Sequence, residues 1–321
     1  MSSKILTVTI CLAAILGVFL YKKSFLENDP GKITIGIIQT ASHPALDQVR
    51  QGFIAELGRL SNHEIDFVIQ NGECSVSQIQ SIAANFHAQK KIQAIFSIAT
   101  PAVQAIARVE KEKPIFIAAV SDPESLGLSH NKNVCGTTDR IDTNAQSHLI
   151  KELIPHASRA IILYNPGESN SVAMVEKMRA SLEKEGIDST LLGVHLESEI
   201  AIAVNAASRK GDLIVVPADN LLVGAMPLVA SEALKNKCPL IASDIPSVAK
   251  GALAANGADY RELGKQTACL AYKVLIEGEN PENIGIHDPV DTKTIINQKT
   301  VDALQIPIPI KLTATNAGKV L

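Results

Sequence analysis

"IILYNPGESNSVAMVEKM" (residues 161–178) changes character halfway along its length. Its first four residues form a short apolar run with strand character. Its last part is apolar at helical spacing, at Val172, Ala173, Val175 and Met178. Between the two lies a turn, residues 165–171, that is crowded with hydroxyl and amide side chains. The segment therefore predicts a strand that passes through a polar turn into a helix.

The same alternation runs along most of the chain. Strands are predicted over residues 33–39, 65–70, 94–99, 115–120, 160–163, 189–194, 213–216 and 240–242. Helices are predicted over residues 45–60, 77–89, 102–111, 145–153, 172–185, 197–208, 222–235, 263–276 and 294–304. Alternating strands and helices form parallel sheets that are covered on both faces. Because a single sheet holding every strand would be unusually wide, we predict an α/β protein of two similar lobes with a break near residues 136–143.

Composition and charge exclude some functions. The 321 residues are 46% hydrophobic and 20% charged, with a formal net charge of −3. No basic patch or helix-turn-helix pattern indicates a nucleic-acid partner. Since tryptophan is absent and aromatic residues make up 3% of the chain, a site that stacks rings would have few side chains to draw on.

The N-terminal segment predicts contact with a membrane. Residues 5–21 form an uncharged apolar run, with Lys4 before it and Lys22 and Lys23 after it. A membrane span needs about 17–25 residues, and the core of a signal peptide is also apolar. No small-x-small cleavage site precedes the lysines, so we expect an uncleaved anchor, with a cleaved export signal as the alternative. The flanking lysines favour, if anything, a cytoplasmic body, which counts against export.

Six polar turns follow predicted strands, at residues 39–47, 99–102, 120–127, 163–172, 216–220 and 242–248. Each alone is explained as a helix N-cap, where Ser, Thr, Asn, Asp and Pro are common. Three come from each half, and in open α/β sheets ligands bind at the carboxyl ends of strands. Amides at helix starts attract carboxylates, while Asp122, Asp219 and Asp244 offer partners for an ammonium. The turns therefore predict a cleft for a zwitterion such as an amino acid.

Patterns typical of enzymes and of metal sites are missing from the sequence. It has no GxGxxG after the first strand, no GxxxxGK[ST], no GxSxG and no HExxH. His43 lies in the first polar turn, where it could contact a ligand, but no nucleophile accompanies it. Outside the N-terminal run, Cys74, Cys135, Cys238 and Cys269 lack metal-ligand spacing. We expect small buried hydrophobic residues there, with a disulfide as the alternative, and no catalytic residue, metal or cofactor.

Seven motifs in order carry a resemblance to a known family. They are "HPALD", "IATPA", "AVSDPESLGL", "LYNPGESNSV", "VPADN", "ASDIPSVAKGALAANGADYRELGKQT" and "TKTIINQKTVDALQIPIP", within residues 33–309. The chain resembles substrate-binding proteins of ABC importers in the tryptophan/tyrosine-type family, which have the type I periplasmic binding protein fold. The resemblance implies two Rossmann-like lobes joined by a three-segment hinge, with the ligand cleft between them. It places residues 31–140 and about 250–282 in lobe 1, residues 141–249 and about 283–311 in lobe 2, and residues 312–321 in a tail.

The resemblance also implies a set of ligand-binding residues. In lobe 1 these are His43, Thr100, Pro101 and Asp122. In lobe 2 and near the hinge they are Asn165, Ser169, Asn170, Ser171, Asp219, Asn220, Ser243, Asp244 and Asp259. The implied function is capture of a small molecule, favoured to be an amino acid, by an extracytoplasmic monomer that delivers it to an ABC permease. Two alternatives are a sensor of the same fold that signals to a membrane partner and an enzyme on a two-lobed scaffold.

Overall fold

The computed structural model describes residues 32–61, 64–128, 131–309, 312 and 318–320. Within these residues no helix has the length and apolarity needed to cross a membrane, and the predicted anchor at 5–21 lies outside them. The strands are β1 (Ile33–Gln39), β2 (Ile65–Asn71), β3 (Ala94–Ile98), β4 (Ile115–Ala118), β5 (Val134–Thr137), β6 (Arg159–Tyr164), β7 (Asp188–Gly193), β8 (Leu213–Val216), β9 (Leu240–Ala242), β10 (Ala254–Ala258), β11 (Ile286–His287), β12 (Thr292–Ile296) and β13 (Gly318–Val320). The helices are α1 (Pro44–Leu60), α2 (Val76–Ala88), α3 (Thr100–Val109), α4 (Thr143–Leu153), α5 (Ser169–Lys184), α6 (Ile200–Ser208), α7 (Asn220–Gly224), α8 (Met226–Lys235), α9 (Tyr260–Leu275), α10 (Pro281–Ile284) and α11 (Gln298–Leu304).

The strands form two sheets with the same internal order. The first sheet runs β11-β5-β4-β3-β1-β2 and is parallel throughout. The second runs β13-β12-β10-β9-β8-β6-β7 and is parallel from β7 to β10. In each sheet the second strand lies on one side of the first and the third strand on the other, which is the doubly wound arrangement. The predicted two-lobed α/β architecture is confirmed.

Helices cover both faces of each sheet. In the first lobe, α1 and α9 pack on one face and α2 and α3 on the other. In the second lobe, α6 and α8 cover one face, and α4, α5 and α11 cover the other. The central strands are consequently buried along their whole length, as in β3 and β8. This double coverage explains why their sequences are runs of apolar residues rather than an alternating pattern.

Two glycines allow α1 and α9 to pack in close contact. A Cβ on Gly52 of α1 would lie 2.2 Å from the carbonyl oxygen of Arg261. A Cβ on Gly264 of α9 would lie 2.0 Å from the carbonyl oxygen of Val49. Real Cβ atoms do not approach backbone oxygens so closely, so the two helices can be this near only because both positions lack a side chain.

The chain crosses between the lobes three times, and strand pairing fixes where. The first crossing, residues 138–142, lies within the predicted break. The boundary predicted near 250 moves to residue 259, because β10 pairs with β9 and β12 in the second sheet. The boundary predicted near 283 moves to residues 288–291, because β11 pairs with β5 in the first sheet.

Three local predictions were wrong. Residues 294–296 were predicted as the start of a helix, but they belong to β12, which pairs antiparallel with β10. The helix predicted over 222–235 is two helices, α7 and α8, that meet at Ala225. Strands β5, β10, β11 and β13 were not predicted. The four cysteines of the described body are unpaired; Cys135 and Cys238 are buried as expected, whereas Cys74 and Cys269 are exposed.

Candidate functional site

The carboxyl ends of strands from both sheets meet at a cavity between the lobes. The strand order reverses at β1 and β3 in the first lobe and at β6 and β8 in the second. Such a reversal leaves a crevice beyond the carboxyl ends of the strands, where α/β proteins bind ligands. With the lobes in this arrangement the cavity is nearly filled, with a free volume of about 20 Å³. Its polar lining comes from both lobes and the crossing segments: His43, Ser121, Asp139, Asn170, Asp219, Asn220, Asp244 and Tyr260.

His43 and Asn220 bring the two walls of this cavity into contact. His43 precedes α1 and Asn220 begins α7, and the His43 Nε2 lies 3.4 Å from the Asn220 Oδ1. The Asn220 Nδ2 donates to Glu168 at 2.5 Å, so its oxygen faces His43 and the imidazole donates through Nε2. Burial lowers the pKa of His43 to about 4. The ring is therefore neutral near pH 7, and its Nδ1 is a hydrogen-bond acceptor.

Two buried acceptors in the cavity wall have no partner in the described structure. They are the His43 Nδ1 and the Asn170 Oδ1, on residues that are 6% and 5% exposed. The Asn170 amide is oriented by its nitrogen, which donates to the carbonyl oxygen of Ala218 at 2.6 Å. Leaving a buried polar group unpaired costs about 1–3 kcal/mol. Each lobe thus contributes one unpaired hydrogen-bond acceptor to which a ligand in the cavity can donate.

Glu168, which sequence reasoning passed over, organises the second-lobe wall. It is buried and accepts hydrogen bonds from the backbone amides of Asn220 at 3.1 Å and Leu221 at 3.2 Å. It also accepts the Asn220 side-chain amide described above, which fixes that side chain toward His43. The only sequence signal was its place in the polar turn between β6 and α5. The residues implied by the family resemblance in that turn did not include it.

Asp219 supports the same wall from within the protein. Its Oδ2 accepts the Asn165 amide at 2.5 Å and the Ser171 hydroxyl at 2.7 Å, and its Oδ1 accepts the Leu222 amide at 2.9 Å. Burial, and next the charge of Glu168, raise the pKa of Asp219 to about 7. Because its donors come from the β6–α5 turn, the start of α5 and α7, Asp219 holds these segments together.

Asp139 and Asp244 form an acidic wall at the hinge side of the cavity. Asp139 accepts the Ser121 hydroxyl at 2.9 Å and the Tyr260 hydroxyl at 3.1 Å. Asp244 caps the turn that begins at residue 245, accepting the Ser247 amide at 3.0 Å and its hydroxyl at 2.6 Å. Burial raises the pKa of both carboxyls, that of Asp244 to about 6. Among the described residues no lysine or arginine pairs with either one, so a cationic group of a ligand can take that place.

The backbone of the first-lobe wall is strained at two alanines. Ala99, after β3, has φ 71° and ψ 158°, and Ala119, after β4, has φ 57°. Both line the cavity. Such backbone conformations cost about 1–3 kcal/mol each for a residue other than glycine, and they cluster at ligand sites. Ala99 leads directly into α3, where Pro101 has no N–H and the Ala102 amide donates to the Thr40 hydroxyl oxygen at 3.2 Å, which leaves the Thr100 amide as the first-turn donor nearest the cavity.

Five of the residues implied by the motifs line the cavity: His43, Asn170, Asp219, Asn220 and Asp244. Nine lining residues were missed as site residues, among them Ala99, Ser121, Asp139 and Tyr260. Tyr260 and Asp139 lie beside two of the crossings, where only the folded arrangement of the lobes brings them to the cavity.

The other implied residues lie elsewhere. Thr100 is buried at the start of α3, and Pro101, Asn165 and Ser169 line a second groove nearer the solvent. Asp122 forms an ion pair across the lobes with Lys177, at 3.6 Å. Three more serve the fold: the Ser171 hydroxyl donates to Asp219, the Ser243 hydroxyl donates to Gln146, and Asp259 caps α9 and pairs with Lys293.

Sequence comparisons identify relatives over nearly the whole body. The sequence profile of the family described as "ABC transporter substrate binding protein" matches residues 34–320. A tyrosine-binding protein of Clostridioides difficile is 37% identical over 290 residues, which cover 88% of this chain and 83% of that protein. An uncharacterized protein of Rickettsia prowazekii is 25% identical over 272 residues, covering 85% and 84% of the two chains.

Comparisons with solved structures agree with the sequence comparisons, and they also indicate how the two lobes are arranged. A Streptococcus pneumoniae protein in complex with L-Trp superposes with a TM-score of 0.85 at 30% identity, covering 90% of this chain and 100% of that one. The ligand-free, open structure of a substrate binding protein from Clostridium difficile has higher identity, 34%, but a TM-score of 0.67, with coverage of 90% and 99%. The lobes here are therefore arranged more like those of the L-Trp complex than like those of the open structure.

Proposed function

The chain belongs to the family of ABC transporter substrate binding proteins, and we propose that it captures an aromatic amino acid between its lobes and delivers it to a membrane permease. The observation that carries the proposal is the cavity, where buried carboxyls without cations and buried acceptors without donors meet between two lobes. The relatives that bind L-Trp and tyrosine supply the ligand class.

The charged groups of an amino acid match opposite sides of the cavity. Its ammonium has three donors, which suit Asp139 and Asp244 on the hinge side together with the free Asn170 Oδ1. Its carboxylate suits the start of α3, next to the strained Ala99, where the Thr100 amide is the donor that Pro101 and Thr40 leave available. A zwitterion held in this way neutralises the buried acids with its own positive charge.

Capture requires opening and closing of the lobes rather than chemical conversion. The walls touch through His43 and Asn220, so the ligand reaches the cavity while the lobes are apart. Its contacts with both walls then shift the population toward the closed form. We place the protein outside the cytoplasm, as its role requires, held there by residues 5–21 or exported by a cleaved signal, and acting as a monomer.

Calorimetry with two cavity variants tests this proposal. Asp244→Ala and Asn170→Ala each remove a group offered to the ammonium, so binding of L-tryptophan or L-tyrosine should weaken about ten- to a hundredfold. Asp188→Ala, an exposed carboxylate on β7 away from the cavity, is the matched control and should bind like the wild type. Wild-type affinity in both cavity variants, with the fold intact by circular dichroism, would refute the site.

A further inference from the structure

A second groove lies beside the cavity, between the same two lobes. Its volume is about 420 Å³, against about 20 Å³ for the cavity. Its first-lobe side is the valley between α2 and α3, and its second-lobe side is the β6–α5 turn with His195 after β7. We call this space the mouth groove.

The floor of the mouth groove is apolar and its rim is polar. On α3 the lining residues Pro101, Gln104, Ala105 and Arg108 recur at the spacing of one helix face, and on α2 Val76, Ile79 and Gln80 do the same. Ile79 is buried, whereas Val76 is 63% exposed, although it is a large apolar side chain. A valley of this kind, apolar below with a few amides and a cation above, is typical of small-molecule pockets.

The mouth groove adjoins the cavity at Glu168. This residue lines the groove and also holds Asn220 against His43 in the cavity wall. A hydrogen bond spans the groove itself, from the Gln104 Nε2 on α3 to the Ser169 Oγ on α5, at 3.1 Å. Closure of the lobes therefore shuts the groove and the cavity together.

We propose that the mouth groove receives the aromatic side chain of the amino acid whose charged groups occupy the cavity. This inference rests on the proposed function. The cavity is small and lined by carboxyl, amide and imidazole groups, which suit the ammonium and carboxylate. A ring buries about 150–250 Å² of mostly apolar surface, and the α2–α3 valley supplies it.

The rim supplies partners for the polar end of the ring. The hydroxyl of tyrosine and the indole N–H of tryptophan seek hydrogen bonds when buried, and Gln80 and Gln104 carry amides there. Arg108 is exposed, and among the described residues no carboxylate pairs with it. A guanidinium in this position can stack on a ring. The mouth groove, rather than the acidic cavity, thereby sets the preference for aromatic amino acids.

Two variants of the groove test the proposal by calorimetry with L-tryptophan and L-alanine. Ala105→Leu narrows the groove floor, and Val109→Leu enlarges an exposed residue of the same helix outside the groove. Val76→Asp places a charge beside the ring, and Ile202→Asp makes the same change at a remote exposed site on α6. Ala105→Leu and Val76→Asp should each weaken L-tryptophan at least about tenfold, with L-alanine and both control variants unchanged.

The outcomes separate this inference from the function on which it rests. If wild-type protein binds L-tryptophan and both groove variants bind it equally well, the groove is not the ring site, but the proposed function stands. An equal loss for L-alanine and L-tryptophan also overturns the inference, because the change then acts on the charged groups. If wild-type protein binds no amino acid, both proposals fail.

Discussion

Ligand affinity should fall as the solution is acidified from pH 7 to pH 5, because Asp244 must be ionised to hold an ammonium. Burial raises its pKa to about 6, so the carboxyl is about 90% ionised at pH 7 and about 10% ionised at pH 5. The amino acid keeps its ammonium over this range. If only the ionised form binds, the dissociation constant rises about tenfold.

The neighbouring groups do not reverse this trend. His43, with a pKa of about 4, stays neutral from pH 7 to pH 5. Asp219 has a pKa of about 7, and Asp139 has a raised pKa. Protonation of Asp219 on acidification also removes negative charge from the cavity, which acts in the same direction.

Calorimetric titrations of L-tryptophan at pH 7, 6 and 5 measure the effect, with Asp244→Asn as the control. The variant should bind more weakly at pH 7 and show a shallower dependence on pH. A wild-type affinity that changes less than about twofold between pH 7 and pH 5 would refute the reasoning, as would an unchanged slope in Asp244→Asn.

Ionisation of Asp244, which favours ligand binding, should lower the free energy of unfolding of the ligand-free protein. When the pKa of a carboxyl is higher in the folded than in the unfolded protein, its protonated form stabilises the fold. This stability is fully present at a pH below the pKa of the unfolded protein and is lost as the pH rises through the pKa of the folded protein. For Asp244 the loss falls between about pH 4 and pH 6, and a rise from 3.8 to about 6 corresponds to about 3 kcal/mol. Asp244→Asn should therefore raise the free energy of unfolding at pH 7.5 while it weakens binding. A destabilised variant would show that Asp244 supports the fold more than the ligand.

Two further predictions concern packing and closure. Gly264→Ala should destabilise the protein by about 1–3 kcal/mol or more in urea unfolding, because the new Cβ would meet the Val49 carbonyl oxygen at 2.0 Å. Gly58→Ala in α1, which meets nothing within 4 Å, should instead stabilise by about 0.5–1 kcal/mol; equal effects would contradict the account of helix contact. Lys177→Ala removes the ion pair with Asp122 across the lobes, so ligand-free protein should show a larger radius of gyration by X-ray scattering, whereas the exposed control Lys210→Ala should not. A radius unchanged from wild type in Lys177→Ala would mean that this pair does not bias closure.

Elements with strong local signals were predictable, and elements that depend on distant partners were not. Strands β1, β8 and β9 have their predicted bounds, since each is a short apolar run between turns. Strand β10 has the sequence AANGA, whose Ala, Asn and Gly residues disfavour strands. It forms because β9 and β12 pair with it on either side. Strand β12 was taken for helix because its apolar residues run directly into α11.

The candidate site likewise has features that could be predicted from the sequence and features that could not. Turns after strands could be located from sequence because parallel strands end at one edge of a sheet, and this places His43, Asn170, Asn220 and Asp244 around one cavity. The roles within those turns were not predictable. Asp219 is occupied by the protein's own donors, while the neighbouring turn residue Glu168 orients the wall. Only hydrogen-bond geometry separates a residue that faces the ligand from one that holds it in place.

The features that cost this fold stability lie together, and their location argues for capture by closure. Buried Asp139 and Asp244 lack cations, Ala99 and Ala119 hold strained backbone, and Asn170 leaves an acceptor unpaired, all around one cavity. When the lobes separate, water can reach the carboxyls and the free acceptors, which removes most of the desolvation cost. When they close on an ammonium and a carboxylate, the ligand supplies the missing charge and donors instead. Closure without a ligand restores the desolvation cost, so a bound ligand shifts the population of the lobes further toward the closed form.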